Sequence, residues 1–125
     1  AIVAKVKDEF SGCSLNIELF VEFMYTKRKA TEDVFPFLFD LYQEKYSNIE
    51  LDVIIITDNN AFDFIMMYGE DLFGDVPIVF CAVNNFSDDQ LLGRTNITGV
   101  VEDFYIEDTI DLALKIHPNT QNIAA

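Results

Sequence analysis

Residues 51–61 read LDVIIITDNNA, and this stretch decides the fold. Five of the six positions from Leu51 to Ile56 are apolar, which predicts a strand buried on both faces, as in the parallel sheet of an α/β domain. The strand ends at short polar residues, and a helical pattern follows at once. In open α/β sheets, ligands bind at the carboxyl ends of the strands, so residues 57–60 occupy the position of a binding site.

The same arrangement recurs at residues 78–85, which read IVFCAVNN. Carboxyl ends of parallel strands meet at one edge of a sheet, so we expect the polar ends of both strands to face one crevice. Neither strand end contains a nucleophile beside a base, so we predict binding rather than catalysis. The candidate ligand-binding residues at these ends and at the end of the next strand are Asp58, Asn59, Asn60, Asn84, Asn85 and Glu102.

These candidate residues also have ordinary structural interpretations. Asp and Asn are favoured at helix N-termini and in turns, and Glu102 could be a solvated surface residue. If these residues form a ligand site, the Asp58 and Glu102 carboxylates would bind an amine, and the helix N-termini would bind a carboxylate. An amino acid or a similar small zwitterion satisfies both conditions. The basic loop at residues 26–28 could contact an anionic group, although a solvated loop is the simpler interpretation.

Composition excludes several other classes of protein. A single domain fits 125 residues, of which half are hydrophobic, so disorder is not expected. The formal net charge of -14 argues against binding nucleic acid or an anionic membrane surface. One His and two Cys in scattered positions predict no zinc site, and neither a disulfide nor a cofactor is expected.

Helical and strand patterns alternate along the chain. We predict helices at 2–10, 33–46, 60–68 and 106–116, with the last helix turning Ile106, Ile110, Ala113 and Ile116 inward. Strands are predicted at 16–23, 51–56, 76–82, 96–101 and from Gln121. A capping box at 87–90 predicts a short helix, and Gly69 is a candidate helix end. The alternation predicts a three-layer α/β sandwich with a parallel sheet in flavodoxin-like order and strand 51–57 at its centre.

Five segments carry a family resemblance: NIELFVEFM at 16–24, DVIIITDNNA at 52–61, VPIVFCAVNN at 76–85, TGVVE at 98–102 and TIDLALKIHP at 109–118. Together they resemble the first lobe of the ABC-transporter substrate-binding-protein-like family. That resemblance implies a periplasmic-binding-protein fold of two lobes and a small-molecule ligand. It also implies an extracytoplasmic location in the sensor region of a membrane histidine kinase, or alternatively the binding component of an uptake transporter.

Against that family, residues 1–125 are expected to form one α/β lobe that lacks the opening strand and the second lobe. In a doubly wound sheet of order 2-1-3-4-5, the absent strand would lie between the strands at 16–23 and 52–56. Unpaired buried backbone groups cost about 1–3 kcal/mol each. We therefore expect either that strand 16–23 shifts to pair with a neighbour or that a partner chain covers the edge in a homodimer.

Two other classes of protein are weighed against ligand recognition. A phosphoacceptor receiver domain would use Asp58 near the end of a middle strand, but it also needs an acidic pair after its first strand and a Lys after its last, and the chain has neither. A nucleotide-using enzyme needs a glycine-rich phosphate loop after a strand, and none is present.

Overall fold

The apolar runs at the middle of the sequence form a parallel sheet. The computed structural model describes residues 2–26, 30–102 and 105–122. Its strands are β1 (Ile54–Thr57), β2 (Ile78–Asn84) and β3 (Ile97–Glu102), which pair in parallel in the order β1-β2-β3. The fold is α/β, with an open three-stranded sheet flanked by helices, consistent with a flavodoxin-like three-layer sandwich. The predicted fold class is therefore confirmed.

The described residues form four α-helices: α1 (Ile2–Ser11), α2 (Thr31–Tyr46), α3 (Asn59–Phe73) and α4 (Ile106–Ile116). A 3-10 helix at Asp88–Leu91 follows β2. At its start, the Ser87 backbone N–H donates to the Gln90 side chain at 2.8 Å, as the capping-box pattern predicts. Helix α2 begins at Thr31, two residues before the predicted start, so Asp33 lies in its first turn.

The core lies between the sheet and the layer formed by α2 and α3. Helix α3 packs on β1 and β2, and α2 packs on α3. Edge-to-face aromatic contacts join the layers, since the Phe62 ring lies 5.4 Å from that of Phe80. The buried hydrophobic residues are Phe35, Leu38, Tyr42, Ile56, Phe62, Phe64, Ile65, Ile78, Phe80, Val83 and Ile97.

Gly69 does not end a helix, which corrects the prediction from sequence. It is buried inside α3, which continues to Phe73 and ends before Gly74. A Cβ at position 69 would lie 3.1 Å from Ile65 Cγ2 and 3.7 Å from the Arg94 guanidinium. Close packing explains this glycine, whereas Gly74 takes the positive φ of 60° at the helix end.

Residues 16–23 form no strand, so the prediction of a strand there was wrong. The segment is held by side chains instead, because the Glu22 carboxylate accepts hydrogen bonds from the Tyr46 hydroxyl at 2.7 Å and from Lys45. The Phe20 ring also packs edge-on against Tyr46, with ring centroids 6.0 Å apart. Alternation of apolar residues favours a strand, but a strand also requires a partner, and the backbone of no described residue pairs with this segment.

The position of strand 51–57 in the sheet also differs from the prediction. In the described sheet, β2 is the central strand and β1 lies at an edge. The Asp58 N–H donates to the Cys81 carbonyl at 3.2 Å. Since successive peptide groups point to opposite sides of a strand, the N–H groups of Ile55 and Thr57 point to the edge that no described strand covers. Proline and charge usually protect such edges, and β1 has neither.

Pairing of that edge with a partner chain stays a prediction. The sequence predicted that either residues 16–23 or a partner chain would pair with the exposed edge. Because residues 16–23 do not pair with β1, a homodimer is the remaining possibility. Light scattering across protein concentration measures the oligomeric state. A monomer at every concentration would contradict the prediction.

Helix α4 has the predicted bounds but not the predicted burial. None of its residues is buried, and Ile106 and Ile116 are more than half exposed. The inward orientation expected for Ile106, Ile110, Ala113 and Ile116 was therefore wrong. Of the predicted strand from Gln121, residues 123–125 lie outside the described residues, and Gln121 and Asn122 are not in a strand.

Two tyrosines near Glu22 are expected to make stability fall at alkaline pH. Burial and the Glu22 carboxylate raise the pKa of Tyr42 to about 12. Burial and the hydrogen bond to Glu22 also raise the pKa of Tyr46. An unfolded tyrosine ionises near pH 10, so the unfolded chain loses these protons first. The free energy of unfolding should therefore decrease as pH rises from about 10 towards 12.

Urea unfolding at several pH values tests this dependence. Tyr46→Phe removes one of the shifted groups and should give a shallower decrease than the unsubstituted protein. Tyr105→Phe, at a position 66% exposed, is the matched control and should leave the slope unchanged. Equal slopes in all three proteins would contradict the prediction.

Candidate functional site

The candidate site is built on the uneven ends of the strands. Strand β1 ends at Thr57, which is in register with Cys81 of β2. Strand β2 continues to Asn84, which is in register with Glu102 at the end of β3. The two longer strands therefore extend about 10 Å beyond β1, and α3 begins in the space above the shorter one. The structure thus brings together residues from all three predicted strand ends.

Asn59 and Asn84 bind each other across this space. The Asn59 amide nitrogen donates to the Asn84 carbonyl at 3.0 Å, and the Asn59 amide oxygen accepts from the Asn84 backbone N–H at 3.0 Å. The Asn84 amide nitrogen also donates to Asn59 at 3.3 Å. The Asn59 side chain therefore ties the start of α3 to the end of β2.

The Asn84 amide oxygen has a different environment. It is buried, and it accepts no hydrogen bond from the described residues. A buried acceptor without a donor costs about 1–3 kcal/mol, and such atoms in native proteins call for an explanation. A donor from outside the described residues, such as an N–H group of a ligand, would satisfy it.

Asp58 holds the turn between β1 and α3 in a strained conformation. Its φ and ψ are 82° and 153°, a region that essentially only glycine occupies without strain. Its side chain makes no capping hydrogen bond to α3, so the N-cap interpretation is not realised there. Asn85, at the second strand end, also has a positive φ of 54°. Asparagine tolerates this left-handed conformation, so the strain, about 1–3 kcal/mol, lies at Asp58.

The remaining candidate residues lie around these two turns. The Asn60 amide donates to the Thr26 hydroxyl at 2.9 Å, which connects α3 to the end of the extended segment before it. Asn85 and Glu102 are exposed at the same edge of the sheet. The sequence placed Thr26 in a solvated loop, and no pattern around it predicted this contact. Lys27 and Arg28 lie outside the described residues.

Metal binding has no support in the described part of the chain. Among residues 2–26, 30–102 and 105–122, no group of three or more His, Cys, Asp or Glu is placed to hold a metal ion. The two cysteines, Cys13 and Cys81, are free. No helix within the described ranges is long and apolar enough to cross a membrane.

Comparison with known proteins finds no relative. No family model, curated protein or solved structure matches this chain. The class that fold and site define is an α/β domain with polar side chains gathered at the carboxyl ends of parallel strands.

Asn59→Asp is expected to destabilise the protein by about 1–2 kcal/mol. The substitution keeps the oxygen that accepts from Asn84 but replaces the donor to the Asn84 carbonyl with an acceptor. Urea unfolding measures the loss. Asn48→Asp makes the same chemical change at an exposed position and should change stability by less than about 0.5 kcal/mol. Equal effects would show that the Asn59–Asn84 contact contributes nothing.

Proposed function

We propose that this chain is a small-molecule recognition lobe in an extracytoplasmic sensor domain for signal transduction. The ligand lies over the strand ends, within reach of Asp58, Asn84 and Glu102. The observation that carries this proposal is the buried amide oxygen of Asn84, which accepts no hydrogen bond from the described residues, beside the strained turn at Asp58. The assignment to a sensor rests on the resemblance in the sequence.

The chemistry of the strand ends favours a ligand that carries an amine. The Asn84 amide oxygen needs an N–H donor, and Asp58 and Glu102 supply negative charge at the same edge. Helix α3 begins at Asn59, and the first N–H groups of a helix favour an anionic group. An amino acid or a similar small zwitterion carries both the amine and the anionic group that these features favour. The formal net charge of -14 would also concentrate cationic groups near the surface.

The strained backbone of Asp58 allows a test that distinguishes a role in ligand binding from a role in stabilising the fold. Glycine adopts the observed conformation without strain, so Asp58→Gly should relieve about 1 kcal/mol of backbone strain. The same substitution removes a carboxylate from the proposed site and should weaken ligand binding. A gain in stability that accompanies a loss of affinity is the signature of a residue kept for binding.

Calorimetry on the full-length protein with a panel of amino acids and amines tests the proposal. For the ligand that binds, Asn84→Ala and Asp58→Gly should each weaken the affinity about tenfold, the loss expected for a hydrogen bond to a charged group. Asn48→Ala, at an exposed position, should leave the affinity unchanged. Unchanged affinity in both site variants would mean that these residues only shape the turns.

A further inference from the structure

A groove between α2 and α3 lies outside the strand-end site. It has a volume of about 640 Å³, which falls within the range of small-molecule sites. Residues of the first two turns of α2 form one wall, and the second and third turns of α3 form the other. The lining residues lie near the start of both helices.

The walls of the α2–α3 groove combine apolar surface with negative charge. Phe35 and Tyr68 supply aromatic rings, and Met66 and Met67 supply thioethers. Met67 is 61% exposed, so its side chain is accessible to a ligand in the groove. Aromatic faces attract organic cations, and methionine adapts its shape to different ligands.

Two acidic residues, one on each helix, also line the groove. They are Glu32 on α2 and Asp63 on α3, and both are exposed. The ion pairs among the described residues lie elsewhere and join Lys5 to Glu9, Lys45 to Glu22 and Arg94 to Glu70. Partial burial raises the pKa of Asp63.

We propose that the α2–α3 groove binds a small organic cation whose amine lies between Glu32 and Asp63 and whose apolar body contacts Phe35, Tyr68, Met66 and Met67. Opposite charge is the feature that selects the ligand, since a neutral molecule of the same shape would leave both carboxylates unpaired. An anionic ligand would be repelled by them and by the formal net charge of -14. This proposal is independent of the function proposed for the strand ends.

Methionine methyl NMR tests the groove directly, because the chain has three methionines. Two of them, Met66 and Met67, line the groove, and Met24 packs against the core elsewhere. The probe is 2-phenylethylammonium, and 2-phenylethanol is its neutral counterpart. The cation should shift the methyl signals of Met66 and Met67 but not that of Met24. We expect the cation to bind about fivefold more tightly than the alcohol, as one ion pair of ordinary strength would give.

Substitutions that keep the shape of the side chains identify the source of this preference. Glu32→Gln and Asp63→Asn should each reduce the difference between cation and alcohol, and the double variant should abolish it. Asp71→Asn removes the same charge from an exposed position of α3 and should preserve the difference. Asn84→Ala should also preserve it, which separates this site from the strand ends.

Three results would overturn the proposal. One is equal binding of the cation and the alcohol to the unsubstituted protein. Another is a shift of the Met24 signal as large as those of Met66 and Met67, which would indicate nonspecific association. The third is an undiminished preference for the cation in the double variant.

Discussion

Phe62→Ala is expected to destabilise the protein by about 3–5 kcal/mol, the usual cost of truncating a fully buried phenylalanine. Phe62 is 2% exposed and lies on the face of α3 that contacts the sheet. Its ring centroid lies 5.4 Å from that of Phe80 on β2 and 5.9 Å from that of Phe86. The substitution removes the side chain that joins α3 to the centre of the sheet, so a cavity replaces contacts on several sides.

Urea unfolding monitored by circular dichroism measures this loss. Phe37→Ala is the matched control because the Phe37 side chain, on α2, is 65% exposed, and its cost should be below about 1 kcal/mol. Small domains are stable by only about 5–15 kcal/mol, so Phe62→Leu, which leaves a smaller cavity, provides a second variant that should stay folded. Similar losses for Phe62→Ala and Phe37→Ala would show that the aromatic core contributes little.

Gly99→Ala is expected to cost more than about 2 kcal/mol, because it overpacks the sheet. Gly99 lies in β3, in register with Phe80. A Cβ at this position would collide with the Phe80 backbone oxygen and would lie 2.5 Å from Phe80 Cγ. The backbone atom belongs to the paired strand, so relief requires β2 and β3 to separate.

The control for this prediction is Gly12→Ala, where the nearest atom to an added Cβ is the Glu9 carbonyl oxygen at 3.8 Å. That substitution should change stability by less than about 0.5 kcal/mol. Thermal unfolding of both variants gives the comparison. A Gly99→Ala protein as stable as the unsubstituted one would mean that the two strands are not held as closely as the structure shows.

Local patterns in the sequence were sufficient for the class of the fold. The apolar runs before Thr57 and Asn84 predicted the strands of a parallel sheet. The prediction that strand 51–56 is buried on both faces was wrong, because Ile55 is exposed on one face of β1. Helix α4 was predicted with its observed bounds, because periodicity and the following His117-Pro118 are local signals. The meeting of Asn59 with Asn84 also follows from a general rule, since parallel strands place their carboxyl ends at one edge.

Contacts between distant segments decided what the local patterns could not. Residues 16–23 alternate like a strand, but pairing requires a second backbone at the correct distance, and side-chain contacts to Tyr46 hold the segment instead. The apolar face of α4 predicts burial, but burial depends on whether another surface covers it. Gly69 was predicted to end a helix from the sequence. In the structure, Ile65 and Arg94 occupy the space that a side chain at this position would need.

By itself, the sequence determined the class of the fold, the edge of the sheet where polar residues gather and the excess of negative charge. The tertiary structure decided that the Asn59 side chain binds Asn84, that the Asn84 amide oxygen is buried without a donor, and that Asp58 is strained. It alone brought Glu32 and Asp63 to opposite walls of one groove. The physical reason is that hydrophobic periodicity is a property of neighbouring residues, whereas hydrogen bonds, strain and cavities depend on the packing of segments far apart in the chain.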